Sequence, residues 1–170
     1  MTRYVKVAIL GFVAALSLPM TAQAGGQPEV FINDISQSVV KMSIKEGVSI
    51  DDATEAMTSK ASELNLKIVG RQKVHEEIRA RGQEAPHLEI LQFCDPEDAV
   101  RMVTLDPIYA AYMPCRIAVV EDPSGKPWLL MLNLDMLINS NNLPPDLQEV
   151  AIRVNQAMLA IMTAGALGEF

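Results

Sequence analysis

The stretch that decides the fold runs from His87 to Leu134. It opens with His87-Leu-Glu-Ile-Leu-Gln-Phe-Cys94-Asp-Pro96, continues with Met113-Pro-Cys115-Arg-Ile-Ala-Val-Val-Glu-Asp122, and closes with Trp128-Leu-Leu-Met-Leu-Asn-Leu134. Short apolar runs bounded by Pro, Gly and Asp are typical of buried strands. The stretch therefore predicts three core strands, and it contains both cysteines of the chain.

Turn and cap residues divide this stretch into elements. Asp95 as N-cap and Pro96 at the first helical position predict a helix, which Asp106-Pro107 ends. We expect this helix to bury four side chains: Ala99, Val100, Met102 and Val103. The turn Asp122-Pro123-Ser124-Gly125 predicts a hairpin between strands at 116–121 and 128–134.

Upstream, a strand and a capped helix are predicted. Residues 37–45 alternate between apolar and polar side chains, which indicates a half-buried strand. Ser49 and Asp52 resemble a capping box that starts a helix over residues 50–64. A second strand at 66–71 and a short charged helix at 74–81 follow, with His75 on the polar face of that helix.

Downstream, the longest helix begins at Pro144-Pro145-Asp146 after a polar stretch at 139–142. Its apolar residues form one stripe at helical spacing, which is typical of a core helix. Strands outnumber the helices between them, and the last two strands form a tight hairpin. This order predicts an α+β fold, a mainly antiparallel sheet covered by helices and completed by a long C-terminal helix.

The N-terminus has the pattern of a secretory signal peptide. Arg3 and Lys6 precede a short apolar run, and Ala22-Gln23-Ala24 provides small residues for cleavage after Ala24. The run is too short to span a bilayer, which needs about 20 apolar residues. We therefore predict a signal peptide at 1–24, a loose leader at 25–36 and a single domain at 37–170. The mature protein is expected in the periplasm or secreted, with no membrane span.

The overall charge argues against one class of partner. The formal net charge is −7, and an acidic surface repels the phosphate backbone of nucleic acids. We therefore expect no binding to nucleic acid.

Several motifs resemble those of the domain of unknown function 302 (DUF302) family. They are Cys94-Asp95-Pro96, Asp106-Pro107-Ile108, Met113-Pro114-Cys115, and the apolar strand that ends at Glu121-Asp122 before Gly125. The resemblance implies a two-layer sandwich with an antiparallel sheet of TATA-binding-protein-like topology, without a DNA function. It also implies a homodimer, and it implies no established reaction. Many similar members carry asparagine where this chain has Asp95 and Arg116.

The two cysteines allow three interpretations. If the strands that carry Cys94 and Cys115 are antiparallel neighbours, the thiols lie at the same sheet edge and could form a disulfide. Alternatively, Cys94 precedes a helix N-terminus, where the helix dipole favours a thiolate, although Asp95 and Glu97 oppose that effect. Cys115 would then be the resolving thiol of a redox pair.

The third interpretation is a soft-metal site. Thiolates from Cys94 and Cys115 with the thioether of Met113 and the imidazoles of His87 and His75 would suit copper(I). The spacing of these residues matches no known zinc or copper motif, so no cofactor is predicted and copper stays an alternative.

A pocket is predicted beneath the loop before Cys115. Its candidate residues are Tyr109, Tyr112, Asp95 and Arg116. No catalytic residue is predicted, because the sequence has neither a nucleophile elbow nor a Gly-rich phosphate loop. We expect a non-catalytic domain that binds a small ligand or a protein partner. The alternative is an extracytoplasmic thiol-redox or copper-binding protein that uses Cys94 and Cys115.

Overall fold

A computed structural model describes residues 35–140 and 143–170. The predicted signal peptide and all but the end of the predicted leader lie outside the described residues. Within them, two 3-10 helices occupy Ile35–Ser38 and Pro107–Tyr112. The strands and α-helices, in chain order, are β1 (Val39–Ser43), α1 (Ile50–Glu63), β2 (Lys67–Lys73), α2 (Val74–Arg79), β3 (Leu88–Cys94), α3 (Pro96–Leu105), β4 (Cys115–Glu121), β5 (Pro127–Leu132), α4 (Leu134–Ser140) and α5 (Pro145–Leu167).

The five strands form one antiparallel sheet in the order β1-β5-β4-β3-β2. The register of β3 and β4 places Phe93 opposite Cys115 and Leu88 opposite Val120. The C-terminal end of β3 therefore lies beside the N-terminal end of β4. This arrangement brings the two cysteine positions to the same edge of the sheet.

Helices α1 and α5 cover one face of the sheet. Along β3, Leu91 and Phe93 face these helices and are fully buried, whereas Ile90 and Gln92 on the opposite face are half-buried. Full burial of one large apolar side chain stabilises the fold by about 1.5–3 kcal/mol. The same core takes in further side chains from the sheet and from both helices: Ile117, Val119, Leu129, Met131, Met57, Met158, Ile161 and Met162. The predicted α+β sandwich with a long C-terminal helix is confirmed.

The close approach of α5 to α1 depends on Gly165. A Cβ atom at this position would lie 2.5 Å from Met57 Cγ and 3.1 Å from the Ala53 carbonyl oxygen. Real Cβ atoms do not approach other atoms as closely as 2.5 Å. The absence of a side chain at Gly165 therefore sets the spacing between the two helices.

The predicted capping box of α1 is confirmed. The Ser49 hydroxyl accepts the Asp52 backbone N–H at 3.0 Å and donates to the Asp52 carboxylate at 2.6 Å. The Asp52 carboxylate also accepts the Ser49 backbone N–H at 3.3 Å. These contacts satisfy backbone donors that every helix N-terminus leaves free.

Helix α4 was not predicted. The last strand ends at Leu132 instead of Leu134, and the Asn133 side chain accepts the Asp135 N–H at 3.2 Å. Asn133 thereby caps a short helix that turns Leu134 and Ile138 toward the protein. An apolar pair four residues apart was too short a signal to separate a helix from the end of a strand.

Several expected burial states are wrong. Of the α3 side chains expected to be buried, Val100 is 66% exposed, and the other three, Ala99, Met102 and Val103, are only half-buried. Helix α3 instead turns Asp98 inward, where it pairs with Arg153. The sequence pattern places His75 on a polar helix face, but His75 is only 5% exposed. Its Nδ1 atom lies 2.9 Å from the Leu88 carbonyl oxygen, so a backbone contact compensates for its burial.

Among the described residues, α5 alone has the length and apolar composition of a membrane-crossing helix. The core helix of a folded domain has the same properties, and Met158, Ile161 and Met162 of α5 lie in the core. Length and composition therefore do not distinguish the two.

Candidate functional site

A cavity of about 120 Å³ lies where β3 and β4 meet α3. We call it the strand-end cavity. The 3-10 helix Pro107–Tyr112, α4 and α5 complete its walls. The aliphatic and phenyl groups in these walls come from Leu66, Phe93, Ala99, Leu134, Ile138, Leu143, Val150, Ala151 and Val154.

Cys94 and Cys115 both line the strand-end cavity, and both are free thiols in the structure. Cys115 lies opposite Phe93 in the sheet register, so its side chain points toward the core. Cys94 follows Phe93 and ends β3 immediately before the α3 cap. Strands β3 and β4 are therefore antiparallel neighbours, which is the arrangement that the disulfide interpretation requires.

The surroundings of the two thiols disfavour ionisation. Burial, reinforced by the neighbouring Asp95 carboxylate, raises the pKa of the Cys94 thiol above its usual value. Burial, followed by the proximity of Cys94, raises the pKa of the Cys115 thiol to about 11. The helix N-terminus at α3 does not outweigh these effects. Both cysteines are thus neutral thiols near neutral pH.

Two thioethers and two phenol rings join the thiols. Met102 comes from α3, Tyr109 and Tyr112 come from the 3-10 helix, and Met113 directly follows that helix. Four sulfur-bearing side chains therefore line one cavity. The predicted pocket residues Tyr109 and Tyr112 lie in its wall, together with Asp95. The participation of Met102 was not foreseen, because its helical spacing indicated core packing.

Two carboxylates lie at the α3 side of the cavity. Asp95 caps α3 by accepting the N–H groups of Glu97 at 2.9 Å and Asp98 at 3.3 Å. Asp98 is 8% exposed, accepts a hydrogen bond from Arg153 of α5 and lies 3.6 Å from Arg101. The Asp98–Arg153 pair joins α3 to α5 across residues that are 55 positions apart in the chain. No local sequence pattern could have revealed that pair.

Arg116 does not line the strand-end cavity. It lies with Tyr112 and Cys115 in a smaller depression. The sheet register places Arg116 on the face opposite the helices. The structure therefore keeps Arg116 near Tyr112 but apart from Tyr109 and Asp95, which line only the strand-end cavity.

The histidines lie at the opposite end of β3 from the cysteines. The His75 and His87 rings contact each other with centroids 4.0 Å apart, and His87 Nε2 lies 3.4 Å from the Glu89 carboxylate. At about 3.3 Å per residue, the six steps from residue 88 to Cys94 span about 20 Å. No single metal ion can therefore bind His75 or His87 together with the cysteines. Among the described residues, no group of three or more His, Cys, Asp or Glu side chains is placed to hold a metal ion.

The family model described as "Domain of unknown function DUF302" matches residues 40–164. The crystal structure of an uncharacterized conserved DUF302 protein from Bacillus stearothermophilus is similar, with a TM-score of 0.61 and 18% sequence identity. The match covers 74% of this chain and 96% of the other. At this identity the likeness establishes the fold. A search of curated proteins found no match.

Proposed function

The chain belongs to the DUF302 family, and from this premise we propose that it binds a small, neutral, apolar ligand in the strand-end cavity. The observation that carries the proposal is the cavity itself, whose walls are built almost entirely of carbon and sulfur atoms. An apolar pocket with a few polar groups is the usual form of a small-molecule site.

The size of the cavity supports a ligand of about one ring. Dry apolar cavities of about 150 Å³ bind benzene, and the strand-end cavity measures about 120 Å³. Tyr109 and Tyr112 offer aromatic surfaces to such a ligand. Offset or edge-to-face stacking on an aromatic ring contributes about 0.5–1.5 kcal/mol beyond area burial.

The charges around the cavity support a neutral ligand. Asp95 and Asp98 belong to the wall, and the lining among the described residues includes no Lys, Arg or His. Asp98 is already paired with Arg153, so a ligand with a carboxylate or phosphate group would meet the Asp95 carboxylate and no free cation in the lining. Anionic metabolites are therefore disfavoured.

Isothermal titration calorimetry with benzene, a neutral ligand of one ring, tests this proposal. Ala151 lines the cavity, so Ala151→Phe places a ring inside it and should raise the Kd of benzene at least tenfold. Ile152 is the next residue of α5 and is 41% exposed, so Ile152→Phe is the matched control and should leave the Kd within twofold. Equal affinity of wild type and Ala151→Phe would refute binding in this cavity.

A second candidate function is copper(I) binding by the sulfur groups of the same cavity. The observation that favours it is the convergence of Cys94, Cys115, Met102 and Met113 on one cavity. Thiolate and thioether sulfur are the ligands that copper(I) prefers. Since both thiols are neutral near neutral pH, metal binding would release protons and would tighten as pH rises. Reversible thiol redox chemistry is less favoured, because the thiolate is the reactive form.

Met102→Leu separates the two candidate functions. Leucine keeps an apolar side chain of similar size but removes the thioether. If copper(I) binds here, competition with bathocuproine disulfonate should show at least tenfold weaker binding in Met102→Leu, and His87→Ala should match wild type. If the site is for apolar ligands alone, Met102→Leu should bind benzene normally, and wild type should not compete for copper(I).

A further inference from the structure

The sheet has a second face, on the side opposite α1 and α5. No helix within residues 35–140 and 143–170 covers it. We call it the open sheet face and define its centre by Ile90, Ala118, Val120, Trp128, Leu130 and Leu132. The sheet register places these six side chains on one side. None of them belongs to the core formed with α1 and α5, and each keeps part of its surface exposed.

Cations outnumber carboxylates on and around this face. Lys41 and Arg116 lie on it by register, and both are exposed. The ammonium groups of Lys41 and Lys126 lie 3.9 Å and 4.5 Å from the Trp128 ring centroid. The chain as a whole carries a net charge of −7, so this cluster of cations runs against its overall charge.

One carboxylate lies at the border of this face. Asp122 accepts the Ser124 hydroxyl at 2.5 Å, the Trp128 indole N–H at 2.9 Å and the Lys126 backbone N–H at 3.1 Å. These hydrogen bonds lower the pKa of Asp122, which therefore keeps its negative charge. Three cations and one carboxylate leave a net charge of +2, so the apolar centre has a border that is cationic on balance.

We infer that the open sheet face binds another protein through an apolar helix bordered by carboxylates. Apolar packing would cover Ile90, Ala118 and Leu130, as α1 and α5 do on the other face. Charge complementarity would pair the flanking carboxylates with Lys41 and Arg116. A second copy of this chain docked face to face would instead bring like charges near one another.

The size of the face indicates a reversible complex. Five strands about 4.8 Å apart and about six residues long give a footprint of about 24 by 20 Å, or roughly 500 Å². A standard stable interface buries about 800 Å² on each partner. We therefore expect affinities in the micromolar range or weaker.

Trp128 is the only tryptophan of the chain, so its fluorescence reports on this face directly. The probe is an 18-residue amphipathic helical peptide with a leucine stripe bordered by glutamates, and the control peptide carries lysines at the glutamate positions. We expect the acidic peptide to change Trp128 fluorescence saturably and the basic peptide to have no effect. Binding should weaken as salt rises, because it screens the ion pairs.

Charge-reversal variants localise the effect. Lys41→Glu combined with Arg116→Glu should raise the Kd of the acidic peptide at least tenfold. Lys60→Glu combined with Arg81→Glu changes the net charge equally at residues on α1 and just after α2, and should leave the Kd within threefold. Circular dichroism establishes that each variant is folded.

Four outcomes would overturn the inference. The first is no response to the acidic peptide, and the second is equal binding of both peptides. The third is a Trp128 response to phosphatidylglycerol vesicles but not to the peptide, which would identify a membrane surface. The fourth is a dimer in sedimentation velocity that shields Trp128 from acrylamide, which would identify the homodimer that the family resemblance implies.

Discussion

Gly165→Ala tests the helix packing on which the core depends. The added Cβ would lie 2.5 Å from Met57 Cγ and 3.1 Å from the Ala53 carbonyl oxygen. Carbon atoms in favourable contact are about 3.5–4.0 Å apart, so α5 and Met57 must move by about 1 Å. Met57 is fully buried in the core, so its displacement must be accommodated by other packed side chains.

Two opposing effects decide the sign. Replacing glycine by alanine inside a helix gains at most about 1 kcal/mol of helix propensity. Forcing a methyl group into a packed core costs about 1–3 kcal/mol. Subtracting a gain of about 1 kcal/mol from this cost leaves a net loss of up to about 2 kcal/mol in the free energy of unfolding, which for a domain of this size lowers Tm by up to about 8 °C.

A double-mutant cycle in urea denaturation checks the cause. Met57→Ala alone should cost about 2–5 kcal/mol, because it leaves a cavity. In that background Gly165→Ala no longer meets the Met57 side chain and keeps only the contact with the Ala53 carbonyl oxygen, so its cost should fall by about 1 kcal/mol. Thr163→Ala, on the exposed side of α5, is the control and should stay within about 0.5 kcal/mol of wild type. Stabilisation by Gly165→Ala in the wild-type background, or an unchanged cost in the Met57→Ala background, would refute the proposed spacing role.

Three further predictions address pH, thiol reactivity and helix capping. Burial, and next the adjacent His75, lowers the folded-state pKa of His87 below 6.5, so the unfolded state binds its proton more readily. Stability should therefore fall as pH drops below about 6.5, and His87→Gln should reduce the difference in urea midpoint between pH 7.5 and pH 5.5. Alkylation by iodoacetamide at pH 8 should modify Cys94 faster than Cys115, whose pKa of about 11 leaves on the order of one thiol in a thousand ionised; faster modification of Cys115 would contradict the burial argument. Ser49→Ala removes the α1 capping box and should cost about 1 kcal/mol in thermal or urea unfolding, while Ser62→Ala on the exposed side of α1 should cost much less.

Most of the fold could be predicted from the sequence, because most elements have local sequence signals. The Asp95-Pro96 start of α3, the Ser49 cap of α1 and the Asp122–Gly125 turn are all short patterns with a direct physical meaning. Helix α4 was not predicted, because its apolar signal is the single pair Leu134 and Ile138. The end of a strand can show the same spacing. Local sequence patterns therefore predicted the elements that have their own cap or turn.

The candidate site was predicted only in part, for a different reason. Tyr109, Tyr112 and Cys115 are close in sequence, so their common location followed from the chain. Asp98 and Arg153, in contrast, pair across the molecule, and nothing near either residue indicates the partner. The interpretation that placed His, Met and Cys residues in one metal site was wrong, because residue types alone carry no information on distances. The histidines and the cysteines lie at opposite ends of β3, about 20 Å apart.

The connection between β3 and β4 explains why this fold can carry different sites. Strands β4 and β5 are antiparallel neighbours joined by a turn at residues 122–126, but β3 and β4 are joined by residues 95–114. Closing a hairpin needs only about two to five residues, so most of that connection is unnecessary for the sheet. It is this extra length that supplies Met102, Tyr109, Tyr112 and Met113 to the strand-end cavity. Substitutions there can alter the cavity without disturbing the strand pairing, and so the ligand must be inferred from these residues and not from the shared fold.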